Sequence, residues 1–233
     1  MNNLENLLAK AEVFSEFTPA ERNELVRLSV EKRYRLGNIV HLQGDHWPIV
    51  VYVFSGELEV VISSIDSRMY TGAVWEKGDV LWGHTIFDDG PMPATLQARR
   101  ISVVYHWNGE DVLNMVLQNK KAMRALLRQQ TTLLRRRRNM IVDLVFNPVA
   151  SRLAKFLLES ADYTEGVPAK RYLTLDEIAS RLVASPEYLC RMLYRLQSDG
   201  LIEIDREYIT ICNKKSLESI AAAVSEGEQE ALS

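Results

Sequence analysis

Between Leu173 and Leu201 the apolar residues Ile178, Leu182, Leu189, Leu193 and Leu196 alternate with polar ones at helical spacing. The Ser185-Pro186 pair divides this run into two short amphipathic helices. Thr174 stands three residues before Glu177, the arrangement of a capping box at the start of the first helix. Ser185 opens the second as N-cap, with Pro186 at the first helical position, where a missing N–H costs nothing. Asp199-Gly200 closes it, and LIEIDREYITI (201–211) then alternates apolar and polar as a β-hairpin does. Helix, tight turn, helix and small hairpin predict a winged helix-turn-helix, which lays its second helix in a DNA major groove.

Upstream the pattern changes twice. Residues 3–17 and 18–30 are expected to form two short helices, the second with Thr18 as N-cap, Pro19 at the first helical position and Glu21 at the third. From Tyr34 to His106 short runs rich in β-branched and aromatic residues, VVYVF (50–54), LEVVIS (58–63), YTGAVW (70–75) and ISVVYHW (101–107), are separated by turns at Gly37, Gly44-Asp45, Ser55-Gly56, Gly78-Asp79 and Asp89-Gly90. This spacing predicts an antiparallel sandwich or jelly roll. Asn108-Gly109-Glu110-Asp111 begins a helical region. Lys120–Phe146 holds neither Gly nor Pro and spans roughly 40 Å at about 1.5 Å per residue. Within it Met123, Leu126, Gln130, Leu133, Arg137, Met140 and Leu144 recur at steps of three and four, a coiled-coil seam, so a homodimer through this helix is expected. Asn147-Pro148 breaks the helix, the amphipathic stretch 149–160 follows, residues 164–169 form a loop, and the polar tail 225–233 is expected to fray. The expected fold is α+β: an N-terminal antiparallel β jelly roll with leading helices (1–107), a helical region with a long dimerisation helix (108–147), and a winged helix-turn-helix (148–233).

Composition narrows this reading without redirecting it. The 233 residues, 47% hydrophobic and 25% charged, are those of a globular protein. No apolar run reaches membrane-span length and the N-terminus lacks the pattern of a signal peptide, so the expected location is the cytoplasm, with no membrane partner. Cys190 and Cys212 offer no disulfide framework. The net charge of −3, and eight basic against ten acidic residues over 148–212, leave only a local basic face for DNA. Lys170, Arg171, Arg191, Arg195 and Arg206 are its candidates.

Sandwich, long helix, Pro break and winged helix in this order resemble the cyclic-AMP receptor / fumarate–nitrate regulator superfamily of bacterial transcription factors. The likeness covers nearly the whole chain and is carried by QGD (43–45), SGELEVV (55–61), KGD (77–79), SPEYLCRML (185–193) and the Gly44–Gly56 interval. It implies a homodimer on a two-fold symmetric double-stranded DNA site, meeting RNA polymerase where it activates. A small-molecule or redox signal would reorient the recognition helices. It also implies that Glu187 and Arg191 read base edges. They share a helix face, Glu accepting from cytosine and Arg gripping guanine. Pro186 replaces an Arg of the cyclic-AMP receptor branch, and Cys190 replaces a Ser of the fumarate–nitrate branch, a plain small residue being preferred to a redox thiol there. Tyr188 adds a phosphate or thymine contact. Thr174, Ser185, Arg195 and Arg206 complete the candidate DNA set. Val183 stands where the family's turn usually has Gly, a position at which a β-branched residue brings strain.

The effector pocket departs from the resemblance. Cyclic-AMP-binding members hold the ribose with Gly-Glu-Leu and the phosphate with Arg-Ser. Here those places carry Trp82-Gly83-His84 and Pro93-Ala94, so cyclic AMP is not expected. The family's adenine-contacting pair corresponds to Arg137-Arg138, inside RRRR (135–138). An unidentified anionic effector near Arg137 and Arg138, against Trp75, Trp82, Gly83 or His84, competes with arginines that simply reach solvent or pair with Asp88 or Asp89. No cofactor is predicted. Haem on one of His41, His46, His84 or His106 is a minor alternative. Catalytic constellations are not evident, and the chain is not expected to be an enzyme. The competing readings are a cupin-like metal protein using His41, His46 and Glu57, and a signalling dimer that has lost DNA binding.

Overall fold

The computed structural model describes residues 2–63, 69–159, 163–171 and 173–222. The chain divides into two compact units, Met1–Leu134 and Arg135–Ser233. The division falls inside the long helix, so the region expected at 108–147 is shared between them.

The first unit opens with helix α1 (Asn2–Leu8), a 3-10 turn (Phe14–Glu16) and helix α2 (Pro19–Leu28). The single helix expected over 3–17 is therefore broken. Ala11 and Val13 are both buried, yet on one continuous helix they would point about 200° apart. Burying both, with Phe14 and Phe17, requires the chain to turn after Leu8. At Thr18 the capping box forms as expected, the hydroxyl accepting from the Glu21 N–H while the Glu21 carboxylate accepts from the Thr18 N–H.

Among the described residues eight strands follow: β1 (Val30–Tyr34), β2 (Ile39–His41), β3 (Ile49–Ser55), β4 (Glu57–Ser63), β5 (Met69–Glu76), β6 (Val80–Trp82), β7 (Thr95–Ala98) and β8 (Ser102–Asn108). A short helix, α3 (Thr85–Asp88), separates β6 from β7. They form two antiparallel four-stranded sheets, β1-β8-β3-β6 and β2-β7-β4-β5. Strand β3 is buried on both faces. Val51 and Val53 meet Leu58, Leu96 and Ala98 of the opposite sheet, while Val50 and Tyr52 face the helices. That two-sided burial is why VVYVF reads as a continuous apolar run. The helices are α1, α2, α4 (Gly109–Gln118) and the first turns of α5 (Lys120–Phe146). Trp107, wholly buried, donates its indole N–H to the Leu25 carbonyl at 2.7 Å and pins β8 to α2.

The second unit holds the rest of α5, then α6 (Val149–Glu159), β9 (Ala169–Lys170), α7 (Leu175–Arg181), α8 (Pro186–Ser198), β10 (Ile202–Ile204), β11 (Tyr208–Ile211) and α9 (Lys214–Ala222). Its sheet runs β10-β11-β9, one strand more than the expected hairpin. Leu153, Leu157, Ile178, Leu189, Leu193, Ile209 and Leu217 share one core. Helix α9 was not expected. It is fastened where the buried Ser151 hydroxyl donates to the Ala221 carbonyl. Ser160 and the tail 225–233 lie outside the described residues.

His106 on β8 is 7% exposed, stacked on Tyr34 and edge-on to Trp47. Burial pushes its imidazole down to about 4, and the Lys32 ammonium adds to the shift. A histidine ordinarily near 6.5 is thus kept neutral by folding, and below that pH the unfolded chain takes up a proton that the native chain refuses. Stability falls as pH drops from 6.5 towards 4, by about 2 kcal/mol between pH 7.5 and pH 5 from this group. Urea denaturation at the two pH values should show that loss, and His106→Gln should reduce it by a comparable amount.

Candidate nucleic-acid interface

Each helix of the pair α7–α8 starts on a side-chain cap. The Thr174 hydroxyl accepts from the Glu177 N–H at 3.2 Å, and the Glu177 carboxylate accepts from the Thr174 N–H at 2.6 Å. The Ser185 hydroxyl accepts from the Tyr188 N–H at 3.2 Å, with Pro186 at the first helical position. Between them Val183 takes φ +50°, while the Ala184 N–H reaches back to the Ala179 carbonyl. The turn thus keeps its left-handed form with a β-branched residue in it, which is strained backbone.

Helix α8 has two faces. Leu189, Leu193 and Leu196 are buried against Ile178 and Leu182. Pro186, Glu187, Tyr188, Arg191, Tyr194 and Arg195 are exposed, and Cys190 is half-buried at the border. The Arg191 guanidinium lies 5.3 Å from the centroid of the Tyr188 ring, a cation–π contact that holds both side chains on the exposed face. Hydrogen bonds from its own N–H and from the Ser185 hydroxyl hold the Glu187 carboxyl below the usual carboxylate range, and Arg191 adds to this. In the β10–β11 turn Asp205 accepts from the Glu207 and Tyr208 N–H groups, leaving Arg206 exposed at the tip. Arg171 donates to the Arg206 carbonyl at 2.9 Å, so these two cations share one edge of the unit. Thr174 is exposed, with its hydroxyl committed to the cap.

Arg152 on α6 had no signal in the sequence. Its guanidinium donates to the Asn147 carbonyl at 2.6 Å, and from Nε and Nη2 to the Leu182 carbonyl at 3.2 and 2.8 Å. It therefore joins the break after α5 to the end of α7. Nearby Lys155 pairs with Asp143 at 2.8 Å, and that hydrogen bond is the main reason the Asp143 carboxyl lies low. Both acceptors of Arg152 are backbone carbonyls, and one lies 30 residues away, so no residue pattern could disclose the contact.

The expected dimer seam needs correcting. Leu126 is buried in the core of the first unit and is not available to a partner, and Met123 is half-buried against that core. Gln130, Leu133, Arg137, Met140 and Leu144 are half-buried. The apolar residues of α5 left uncovered lie one position further on, with Leu127 62%, Leu134 70%, Ile141 57% and Val145 64% exposed.

The effector candidates of the first unit are not gathered into one place. Trp82 is buried in the helix-covered core beside Phe14, whereas Trp75 packs on the core between the sheets. His84 is exposed at the start of α3. Gly83 has no room for a side chain, since a Cβ would lie 2.2 Å from the Trp47 carbonyl oxygen. The Thr85 hydroxyl donates to the Gly90 carbonyl and accepts from the Trp47 N–H, closing this segment on itself. On α5, Arg137 is half-buried and Arg138 exposed, and Asp88 accepts from the Gly90 N–H. The cupin-like set is not assembled either: His41 is buried on Trp47, His46 is exposed, and Glu57 is engaged by Arg99 and Arg100.

A jelly-roll sandwich joined by a long helix to a winged helix-turn-helix defines a DNA-binding transcriptional regulator. Two family models match the chain: a cyclic nucleotide-binding domain over residues 31–119 and a Crp-like helix-turn-helix domain over residues 151–220. Together they take in more than half of it, and the chain belongs to the CRP/FNR superfamily of transcriptional regulators. It is 24% identical over 223 residues, 92% of this chain and 98% of the other, to a CRP-like cAMP-activated global transcriptional regulator of Mycobacterium tuberculosis. Its fold is similar to that of a crp/fnr-family regulator from Eubacterium rectale, with TM-score 0.73, 19% identity and 91% and 98% of the two chains covered. It is also similar to the c-di-GMP responsive global regulator CLP of Xanthomonas campestris, with TM-score 0.71, 20% identity and 83% and 99% covered.

Val183 supplies a direct test of the turn geometry. A left-handed conformation costs a non-glycine residue about 1–2 kcal/mol, part of which is returned because Gly orders at a greater entropy cost. Val183→Gly should stabilise the protein by about 0.5–1 kcal/mol, read as a rise in denaturation midpoint at constant slope.

Proposed function

We propose that two copies of this chain pair along α5 and read a two-fold symmetric DNA site with the exposed face of α8. Control is by a small molecule other than cyclic AMP. The observation that carries the DNA reading is the α8 face itself: Glu187 and Arg191 one helical turn apart, with Arg191 held over Tyr188. Arg195 and the tip residue Arg206 supply phosphate contacts, and paired readers meet half-sites about 34 Å apart. Pro186, which has no long polar side chain, makes the operator differ at one base pair from that of relatives with Arg there. Such a protein works in the cytoplasm, alongside RNA polymerase where it activates, and is not an enzyme.

Pairing along α5 is supported by the uncovered stripe Leu127, Leu134, Ile141 and Val145, whose steps of seven and four follow a coiled-coil seam. Arg138 stands in the same stripe. Two copies side by side would bring two guanidinium groups to the axis, and an anion there offsets their repulsion. An anionic effector held by Arg138, with Arg137 beside it, follows from this. Cyclic AMP is disfavoured because Trp82-Gly83-His84 and Pro93-Ala94 carry neither the carboxylate for a ribose nor the guanidinium for a cyclic phosphate.

Arg191→Ala should weaken operator binding by about 1–3 kcal/mol and relax selectivity at one base pair, measured by gel shift on the protein's own promoter region at stated salt. Operator binding as tight and selective as that of the unaltered protein would refute the placement of α8. Calorimetry with cyclic AMP should give no saturable heat at micromolar nucleotide, and a saturable isotherm there would refute the effector reading.

A further inference from the structure

Tyr194 on α8 is 70% exposed, more than any other aromatic side chain among the described residues, while Tyr188 on the same helix is 38% exposed. A single ring in water carries no message by itself. Its place on the helix does. At about 100° per residue, Arg191 marks the middle of the exposed face, with Glu187 about 40° to one side and Tyr188 about 60° to the other. Tyr194 falls about 60° from Arg191 on the Glu187 side, and Arg195 about 40° from it on the Tyr188 side. The buried Leu189, Leu193 and Leu196 point away from both.

The face thus has two flanks, Glu187 with Tyr194 and Tyr188 with Arg195, and in each the second residue lies about 10.5 Å further along the helix. A recognition helix meets base edges with its N-terminal residues. Two turns in, and off the centre line, side chains face the sugar-phosphate walls of the groove rather than its floor. On the Tyr188 flank that wall meets the Arg195 guanidinium. Arg191 and Arg195 are the only cations of α8, so the Glu187 flank has none. The donor that reaches furthest on that flank is the phenol of Tyr194.

Resting on the reading of α8 as a DNA-contacting helix, we propose that the Tyr194 hydroxyl donates a hydrogen bond to a backbone phosphate on the groove wall opposite the one met by Arg195. A phenol does so without bringing positive charge. It therefore adds affinity without releasing a counterion and without reading a base. The grip on the two strands is uneven: ionic on one, a neutral hydrogen bond on the other.

The test is gel shift of the full chain with the promoter fragment and with a random duplex of equal length, each at several salt concentrations. Tyr194→Phe, a surface change that removes one hydroxyl, should weaken binding to both duplexes by the same factor, about tenfold. It should leave the slope of log K against log salt unchanged. Tyr194→Lys should restore the affinity and steepen that slope by about 1 for each copy bound, because the phosphate contact is then ionic. Arg195→Gln should lower the slope by about 1 per copy from the other wall. Binding by Tyr194→Phe as tight as that of the unaltered protein, a loss confined to the promoter fragment, or a slope unmoved by Tyr194→Lys would each overturn the proposal. None of these touches the reading of α8 while the unaltered protein prefers its promoter fragment. An unaltered protein without that preference overturns both.

Discussion

The guanidinium of Arg152 joins two chain ends that would otherwise be left open. The last carbonyls of a helix have no partner within it, and Arg152 supplies partners for one at the break after α5 and one at the end of α7. It lies partly buried, which lowers its own pKa, and Asp143 compensates by favouring the charged form. A positive charge near the C-terminal ends of two helices also answers their dipoles. The position of α7, and through the turn at Val183 that of α8, is therefore referred to the end of the long helix by hydrogen bonds rather than by apolar packing alone. Hydrogen bonds are directional, so this contact fixes the angle between the two chain ends as well as their separation.

The sandwich has its own fixed point at the Ser55-Gly56 turn. Gly56 takes φ +85°, and a Cβ there would lie 2.4 Å from the Ile101 carbonyl oxygen, so both conformation and space demand glycine. Next to it the wholly buried Ser102 hydroxyl accepts from the Glu57 N–H and approaches the carbonyls of Glu57 and Arg100. The motif SGE is thus a piece of packing between β4 and the start of β8. It also brings the Glu57 and Glu59 carboxylates onto Arg99 and Arg100.

Much of this is legible in the sequence alone. Capping boxes at Thr18 and Thr174, the full extent of α5, the two-helix reading of 173–201 and the antiparallel sheets rest on local chemistry, and local chemistry is written in adjacent residues. Where the sequence misled, the deciding term was tertiary. The break after Leu8 exists because Ala11 and Val13 must both reach the core. Leu126 drops out of the stripe expected on α5 because it is claimed by that same core, a fact that periodicity alone does not contain. Trp75 and Trp82 look like neighbours in the chain, yet their strands belong to different sheets and their rings to different cores. Arg152 was invisible because carbonyls carry no residue identity.

Pro186 at the start of α8 also decides what that helix end can offer. It has no N–H, the Ser185 hydroxyl occupies that of Tyr188, and the Glu187 carboxylate engages its own. Few donors at this helix start are then left for a phosphate, and the carboxylate there repels one. The helix can meet DNA by side-chain readout but has little grip on the backbone from its own end. With ten acidic against eight basic residues over 148–212, the positive charge of this unit is left to side chains away from that helix end, Arg191, Arg195 and Arg206 among them.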